Sequence, residues 1–350
     1  MKTKKLGIIA LIIFLVVLAA STFAYFTLSN NLKAISSTSE EVNFVVEQGT
    51  LFEDVCKQLE EKKLIKNDTT AYYYGRLKKL TDVKQGLFKL NRNMDVEKIL
   101  TDLNDESKAL STDIRITIKE GYWAKDIAKV ISENTNVTSE ELINLWNDDT
   151  FIDELKAKYW FISDDVKNSE FKVKLEGFLY PDTYDFYVVT NAKDVTYKLL
   201  DRFDELVTPY KDRMLSSELG VFKTIVLASM VQFESGNYSD MPKVAGVFMN
   251  RLNSGMKMGS SVTVCYALYD YKSWEECESN PDIDSKYNTY KYEGLPIGPI
   301  LNPSIKAIEA SINFTKHDYF YFMADVNGDG TTYFAKTFKE HQANVDKYLR

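Results

Sequence analysis

An apolar run that ends in a carboxylate carries the strongest chemical signal in this chain. In LASMVQFESGNY, residues 227–238, a helical pattern delivers Glu234 and stops at Gly236. On a helix over 221–235, Leu227, Met230 and Val231 lie one or two turns before Glu234 and share its face. Apolar neighbours disfavour the ionised carboxylate, and the negative end of the helix dipole pushes the same way. The acid is therefore expected to hold its proton near neutral pH. A neutral carboxylic acid is what glycosidic cleavage requires, because the leaving oxygen must be protonated. A surface glutamate at a fraying helix end has the same pattern, and the residues alone leave both readings open.

Other chemistries find less support. In DVNGDGTTYFAK, residues 325–336, Asp325, Asn327, Asp329 and Gly330 match the start of a calcium loop, but its last position is Lys336 rather than a bidentate glutamate. Asn-Gly and Asp-Gly between aromatic segments predict a β-hairpin there instead. His317 and His341 are too few for a three-histidine metal site, and no Cys-x-x-Cys pair occurs. There is no Gly-x-Ser-x-Gly elbow and no glycine-rich phosphate loop. Neither a metal nor a cofactor is expected. Asn250, Arg251, Tyr287, Asn288 and Tyr290 form a polar and aromatic set that suits sugar binding and suits ordinary aromatic packing equally.

The elements that must position these residues follow from periodicity and punctuation. Helices are predicted over 193–214 and 220–235, then through VAGVFMNRL, capped by Asp240 and stopped at Asn253-Ser254-Gly255. SVTVCYALY and DYFYFMAD read as β-prone, joined by a long loop containing YNTYKYEGLPIGPILNP, and a helix from Phe338 to Leu349 closes the chain. Upstream, VVEQG, DVKQG and TIKEG each place a glycine after an extended-looking segment. Helical patterns follow in LFEDVCKQLEEKKL, MDVEKILTDL and YWAKDIAKVIS. The fold class expected is α+β: an N-terminal transmembrane helix, small α+β modules and a larger α+β catalytic domain.

The chain has 350 residues, 45% of them hydrophobic, with a formal net charge of −8. That is enough for two or three cored domains at roughly 100–200 residues each. An acidic chain without a concentrated basic patch is not expected to bind nucleic acid. Lys2, Lys4 and Lys5 precede an uncharged run over 6–28, which at a rise of about 1.5 Å per residue could span a bilayer core of about 30 Å. A cleaved signal would carry a shorter apolar region, so an uncleaved single-pass anchor with a cytoplasmic N-terminus is expected. The boundaries expected are 1–5 cytoplasmic, 6–28 anchor, 29–41 stalk, 42–165 anterior α+β region and 170–350 catalytic domain. Cys56, Cys265 and Cys277 allow at most one disulfide and do not say which.

Taken in order, LASMVQFES, VAGVFMNRLNSGMKM, SVTVCYAL, YNTYKYEGLPIGPILNP, YFYFMAD and KEHQANV resemble the YceG-like family of MltG-type endolytic murein transglycosylases. EGFLYPDTY, and EQGTLFEDVCKQLEEKKLI and KEGYWAKDIAKVI in the anterior region, extend the resemblance over nearly the whole chain after the stalk. The resemblance implies a LysM-like module within 42–165. It implies that the catalytic acid, the second glutamate of an A-S-[ILM]-[IV]-E-x-E stretch, is Glu234, with Gln232 where the family has its first glutamate. Gly259, Ser261 and Val262 likewise replace the Gln, Asp and Pro of the family pattern. Gln232, Asn250, Arg251, Thr263, Asn288 and Tyr290 are the implied substrate-binding residues. The implied reaction cuts between N-acetylmuramic acid and N-acetylglucosamine in nascent strands and leaves 1,6-anhydro ends, with one acid acting twice. Glycan strands, the membrane, peptidoglycan synthases and elongation or division proteins are the implied partners. The Gln232 and Ser261 departures keep a catalytically weak glycan-binding scaffold as an alternative, and a glycan hydrolase is a second.

Overall fold

Short strands are interspersed among runs of helices, and among the described residues each strand pairs with one other. The computed structural model describes residues 2–47, 49–109, 113–271, 273, 276, 277, 280–325, 328 and 330–349. It is a mixed α/β protein with three two-stranded sheets among the described residues. The chain divides into two compact units, one up to Ile114 with Tyr187–Thr190, the other comprising Arg115–Phe186 and Asn191–Arg350.

The first unit begins with α1 (Lys2–Asn31). Its window Phe14–Asn31 makes it the single helix among the described residues that is by itself long and apolar enough to cross a membrane. β1 (Glu41–Val46) pairs antiparallel with β2 (Gly86–Asn91), Phe44 opposite Phe88. Between them lie α2 (Phe52–Glu61) and α3 (Asp68–Lys78), and α4 (Val96–Asn104) follows β2. The apolar positions at helical and strand spacing converge on one core, with Phe44, Val55, Leu59, Phe88, Ile99 and Leu103 fully buried or nearly so. The end of α1 is bonded into this unit. Asn31 Nδ2 donates to Thr70 Oγ1 at 3.2 Å, Lys66 Nζ to the Asn30 carbonyl at 3.1 Å, and Val96 N to the Leu32 carbonyl at 3.0 Å. Gly49, Gly86 and Gly121, the glycines of the three similar segments, take φ of +81°, +136° and +79°, which a residue with a Cβ adopts at a cost.

In the second unit, β3 (Asp113–Thr117) pairs with β4 (Thr183–Tyr187). α5 (Ala124–Ser132), α6 (Ser139–Asn147) and α7 (Asp149–Lys158) intervene. The helix predicted over 193–214 is divided: α8 (Ala192–Val207) gives way to a 3-10 turn at Thr208–Tyr210 and then α9 (Lys211–Ser216). Pro209 explains the break, since it cannot donate the next helical hydrogen bond. α10 (Gly220–Glu234) is buried from Thr224 to Val231 against α11 (Met241–Asn253) and α13 (Ile305–Ile312).

SVTVCYALY is not a strand. It forms α12 (Ser261–Leu268), with every residue from Val262 to Ala267 buried. A short run buried on all sides shows neither helical nor strand periodicity, and its β-branched residues bias the reading toward strand. Cys265 of α12 is disulfide-bonded to Cys277, and Cys56 is free and buried. β5 (Tyr321–Ala324) and β6 (Thr332–Ala335) form an antiparallel hairpin, as the sequence predicts. Asn327 and Asp329 of its turn lie outside the described residues. α14 (Phe338–Tyr348) follows, begun by a Thr337–Glu340 capping box.

Candidate active site

The acid sits where α10 runs out. Its helix is buried from Thr224 to Val231, and Glu234 is the last helical residue. Ser260, which directly precedes α12, donates from Oγ to Glu234 Oε1 at 2.5 Å. Ser260 is held in turn: its N–H donates to Thr289 Oγ1 at 3.1 Å, and Thr263 Oγ1 donates to its carbonyl at 2.6 Å. Thr263 and Thr289 are themselves in hydrogen-bond contact at 2.9 Å. All three hydroxyl residues are buried. The aim of the Ser260 hydroxyl at the carboxyl is thus fixed by α12 and by the loop that carries Thr289.

Burial pushes the Glu234 carboxyl above its ordinary value, opposed by the Ser260 hydrogen bond and by the positive charge of Arg251. The residue as a whole remains half-exposed, so the carboxyl is desolvated without being sealed off. Arg251 is buried enough that its own value is drawn down, with Tyr321, Glu234 and Tyr290 acting in the opposite sense. Its guanidinium donates to the carbonyls of Phe320, at 2.7 Å, and Met258, and lies over the Tyr321 ring. It reaches Glu234 through its field.

The remaining expected residues are distributed around this centre. Asn250 donates to the carbonyls of His317 at 2.7 Å and Tyr319 at 2.8 Å, so its amide fastens that segment to α11. Asn288 is fully buried. It donates to Pro281 O and Ile283 O and accepts from Tyr290 N, which sets the loop bearing Thr289 and Tyr290. Tyr290 is 42% exposed, and its ring borders Gly259, whose φ is +58°. Gln232 accepts from Ser304 N at 2.9 Å and reaches Glu120 with its amide at 3.4 Å; Tyr238 donates to the same Glu120 oxygen at 2.9 Å.

One further acid was passed over by the sequence reading. Glu176, 1% exposed, accepts from Ala124 N at 3.0 and 3.1 Å, Tyr266 Oη at 3.0 Å and Asn302 Nδ2 at 2.7 Å. Burial raises its carboxyl to about 8 even so. Ser260, Thr289, Glu120 and Tyr238 were also missed. A carboxylate inside the aromatic run EGFLYPDTY was the available signal for Glu176, whereas nothing local marks Ser260.

A model of the YceG-like family matches residues 44–347. The chain belongs to the YceG-like family. It is 32% identical to an endolytic murein transglycosylase of Streptococcus pneumoniae (strain D39) over 99% of this chain and 65% of that protein. It is 33% identical to an endolytic murein transglycosylase of Bacillus subtilis over 88% of this chain and 85% of that protein. A crystal structure of a yceG-like protein from Listeria monocytogenes superposes with a TM-score of 0.61 at 29% identity, covering 87% of this chain and 99% of that one. The chain thus spans about two thirds of the length of its streptococcal relatives, whose whole-protein activity is not carried over by similarity alone. In this YceG-like chain three of the four departures adjoin one another: Gly259, Ser261 and Val262 flank Ser260, the partner of Glu234, while Gln232 stands apart on α10.

Proposed function

We propose that this chain is a membrane-anchored, endolytic peptidoglycan transglycosylase with Glu234 as its catalytic acid and base. The observation that carries the reading is the pairing of a desolvated, half-open Glu234 with the Ser260 hydroxyl. Because Ser260 occupies Oε1, the proton of the neutral acid resides on Oε2. The names of the S. pneumoniae and B. subtilis relatives support the same substrate.

In this mechanism Oε2–H protonates the oxygen between N-acetylmuramic acid and N-acetylglucosamine, and the muramyl C1–O bond breaks. The carboxylate then takes the proton of the muramyl C6 hydroxyl, whose oxygen bonds to C1 and closes the 1,6-anhydro ring. One proton is given and one recovered, and no water is consumed. The paired carboxylates of ordinary glycosidases are then unnecessary. Ser260 and Arg251 favour the carboxylate formed midway. Gln232, Asn250, Thr263 and Asn288 serve the substrate by holding the walls, while Tyr290 offers an exposed ring to the glycan.

The apolar α1 would anchor the chain with its N-terminus in the cytoplasm and both units outside. The first unit would be the LysM-like module, its own apolar core being what supports an independent glycan-contacting role. Synthases and elongation or division proteins are the partners that such a position favours.

The test is mass spectrometry of soluble products from purified sacculi. The wild type is expected to release anhydromuramyl ends, and folded Glu234→Gln none. Reducing ends would make the protein a hydrolase, and binding without release would make it a scaffold.

A further inference from the structure

A cleft of about 380 Å³, within the ~300–1,000 Å³ usual for small-molecule sites, is lined by near neighbours in sequence of the Glu234–Ser260 pair. One wall is Phe233, the residue before Glu234, with Val262, two residues past Ser260. The facing wall is built by the start of α5 and by Asp270 and Tyr271.

That facing wall is pre-arranged. Trp123 stacks on Tyr269 at 5.4 Å and 4°, meets Tyr266 edge-on at 5.2 Å and touches Tyr271 at 5.9 Å. Lys125 lies over the Trp123 and Tyr269 rings at 4.7 and 4.4 Å and donates to the Tyr269 carbonyl. Its ammonium is thereby committed to the wall. Asp126 accepts from Trp123 N at 3.3 Å, and Asp270 is exposed. The charged groups lining the cleft are thus two carboxylates and one engaged ammonium.

Such a lining discriminates between the two sugars that flank the scissile bond. The muramyl residue bears a lactyl-peptide arm with carboxylates, which this cleft would repel. N-acetylglucosamine is neutral, presents hydroxyl donors to carboxylate acceptors and offers a C–H face to aromatic rings. We propose that the cleft between Phe233 and Tyr271 is the subsite for the neutral N-acetylglucosamine ring on the leaving side of the bond. The assignment rests on the transglycosylase reading of Glu234. Phe233 of the cleft directly precedes the acid on α10.

The experiment titrates the full chain in detergent with an N-acetylglucosamine tetramer and, separately, with muramyl dipeptide. The tetramer is expected to bind at least about tenfold more tightly. Tyr271→Ala should weaken the tetramer about tenfold, the loss of one aromatic contact, and Tyr271→Phe should restore it. On soluble glycan the alanine variant should lose through KM rather than kcat. Asp270→Lys should narrow the preference against muramyl dipeptide. Equal or tighter binding of muramyl dipeptide by the wild type overturns the proposal, as does tetramer binding indifferent to Tyr271→Ala. A wild type that binds the tetramer through Tyr271 yet releases no anhydro ends would sink the catalytic reading and leave the subsite standing. A wild type that cuts glycan but ignores the tetramer would do the reverse.

Discussion

Around Glu176 every acceptor position is answered, by a main-chain amide, a phenol and a side-chain amide. Around Glu234 a single hydroxyl answers one oxygen, and the residue as a whole is half-exposed. Burial raises both acids. What separates them is saturation. A fully solvated-by-protein carboxyl joins three segments, α5, α12 and the Asn302 loop, and has no valence left for a substrate. A half-answered one keeps an oxygen for proton traffic. Direction of pKa shift does not distinguish the two acids, whereas the number of hydrogen-bond partners does.

The largest effect should come from Glu234→Gln, which would remove the proposed general acid, a group worth about 10²–10⁴-fold. Anhydro-product release should fall by that much or below detection while the thermal midpoint stays within a few degrees. Large destabilisation in this variant would erase the contrast. Glu176→Ala should do the opposite. Three buried donors lose their acceptor at roughly 1–3 kcal/mol each, so stability should drop by about 3 kcal/mol or more. Trp123, Trp146 and Trp160 lie in the second unit, so tryptophan fluorescence in a urea titration reports that loss directly.

The pH dependence of stability sharpens the same comparison. Glu176 titrates at about 8 in the folded chain against an ordinary 4.5, so the unfolded chain releases its proton first. Its contribution is fully present below about pH 4.5 and is lost as pH rises toward 8. Glu176→Gln should flatten the decline of the urea midpoint over that window, and an unaltered slope would assign the decline elsewhere. The smallest effect belongs to Ser260→Ala. Ser260 stabilises the charged form of Glu234, so its removal should move the high-pH limb of the rate profile upward. A limb that stays put or moves down would detach Ser260 from the acid.

Much of the α-helical framework was legible because its faces are amphipathic. Phe52–Glu61, Val96–Asn104 and Ala124–Ser132 fall where the apolar spacing put them. α12 was not legible, because burial on every side erases the period that distinguishes helix from strand. At the site, the helix that ends in Glu234 could be read from its own apolar neighbours, but Ser260 and Arg251, which also act on its carboxyl, come from other segments. Ser260 could not be read locally, because its role depends on Thr263 and on Thr289 from a loop far along the chain. Residue type left Asn250 and Asn288 open between sugar binding and ordinary packing, and the family resemblance implied the former. Their amides are occupied by carbonyls, which sequence spacing does not reveal.

The grip of Thr70, Lys66 and Val96 on the last turn of α1 and on Leu32 has a mechanical consequence. A helix joined this way is a lever rather than a leash. In a bilayer, α1 would lean more in a thin membrane than its length requires in a thick one, and that lean is a soft coordinate. The β1–β2 sheet would turn with it, so membrane thickness would set the attitude at which the first unit faces the wall.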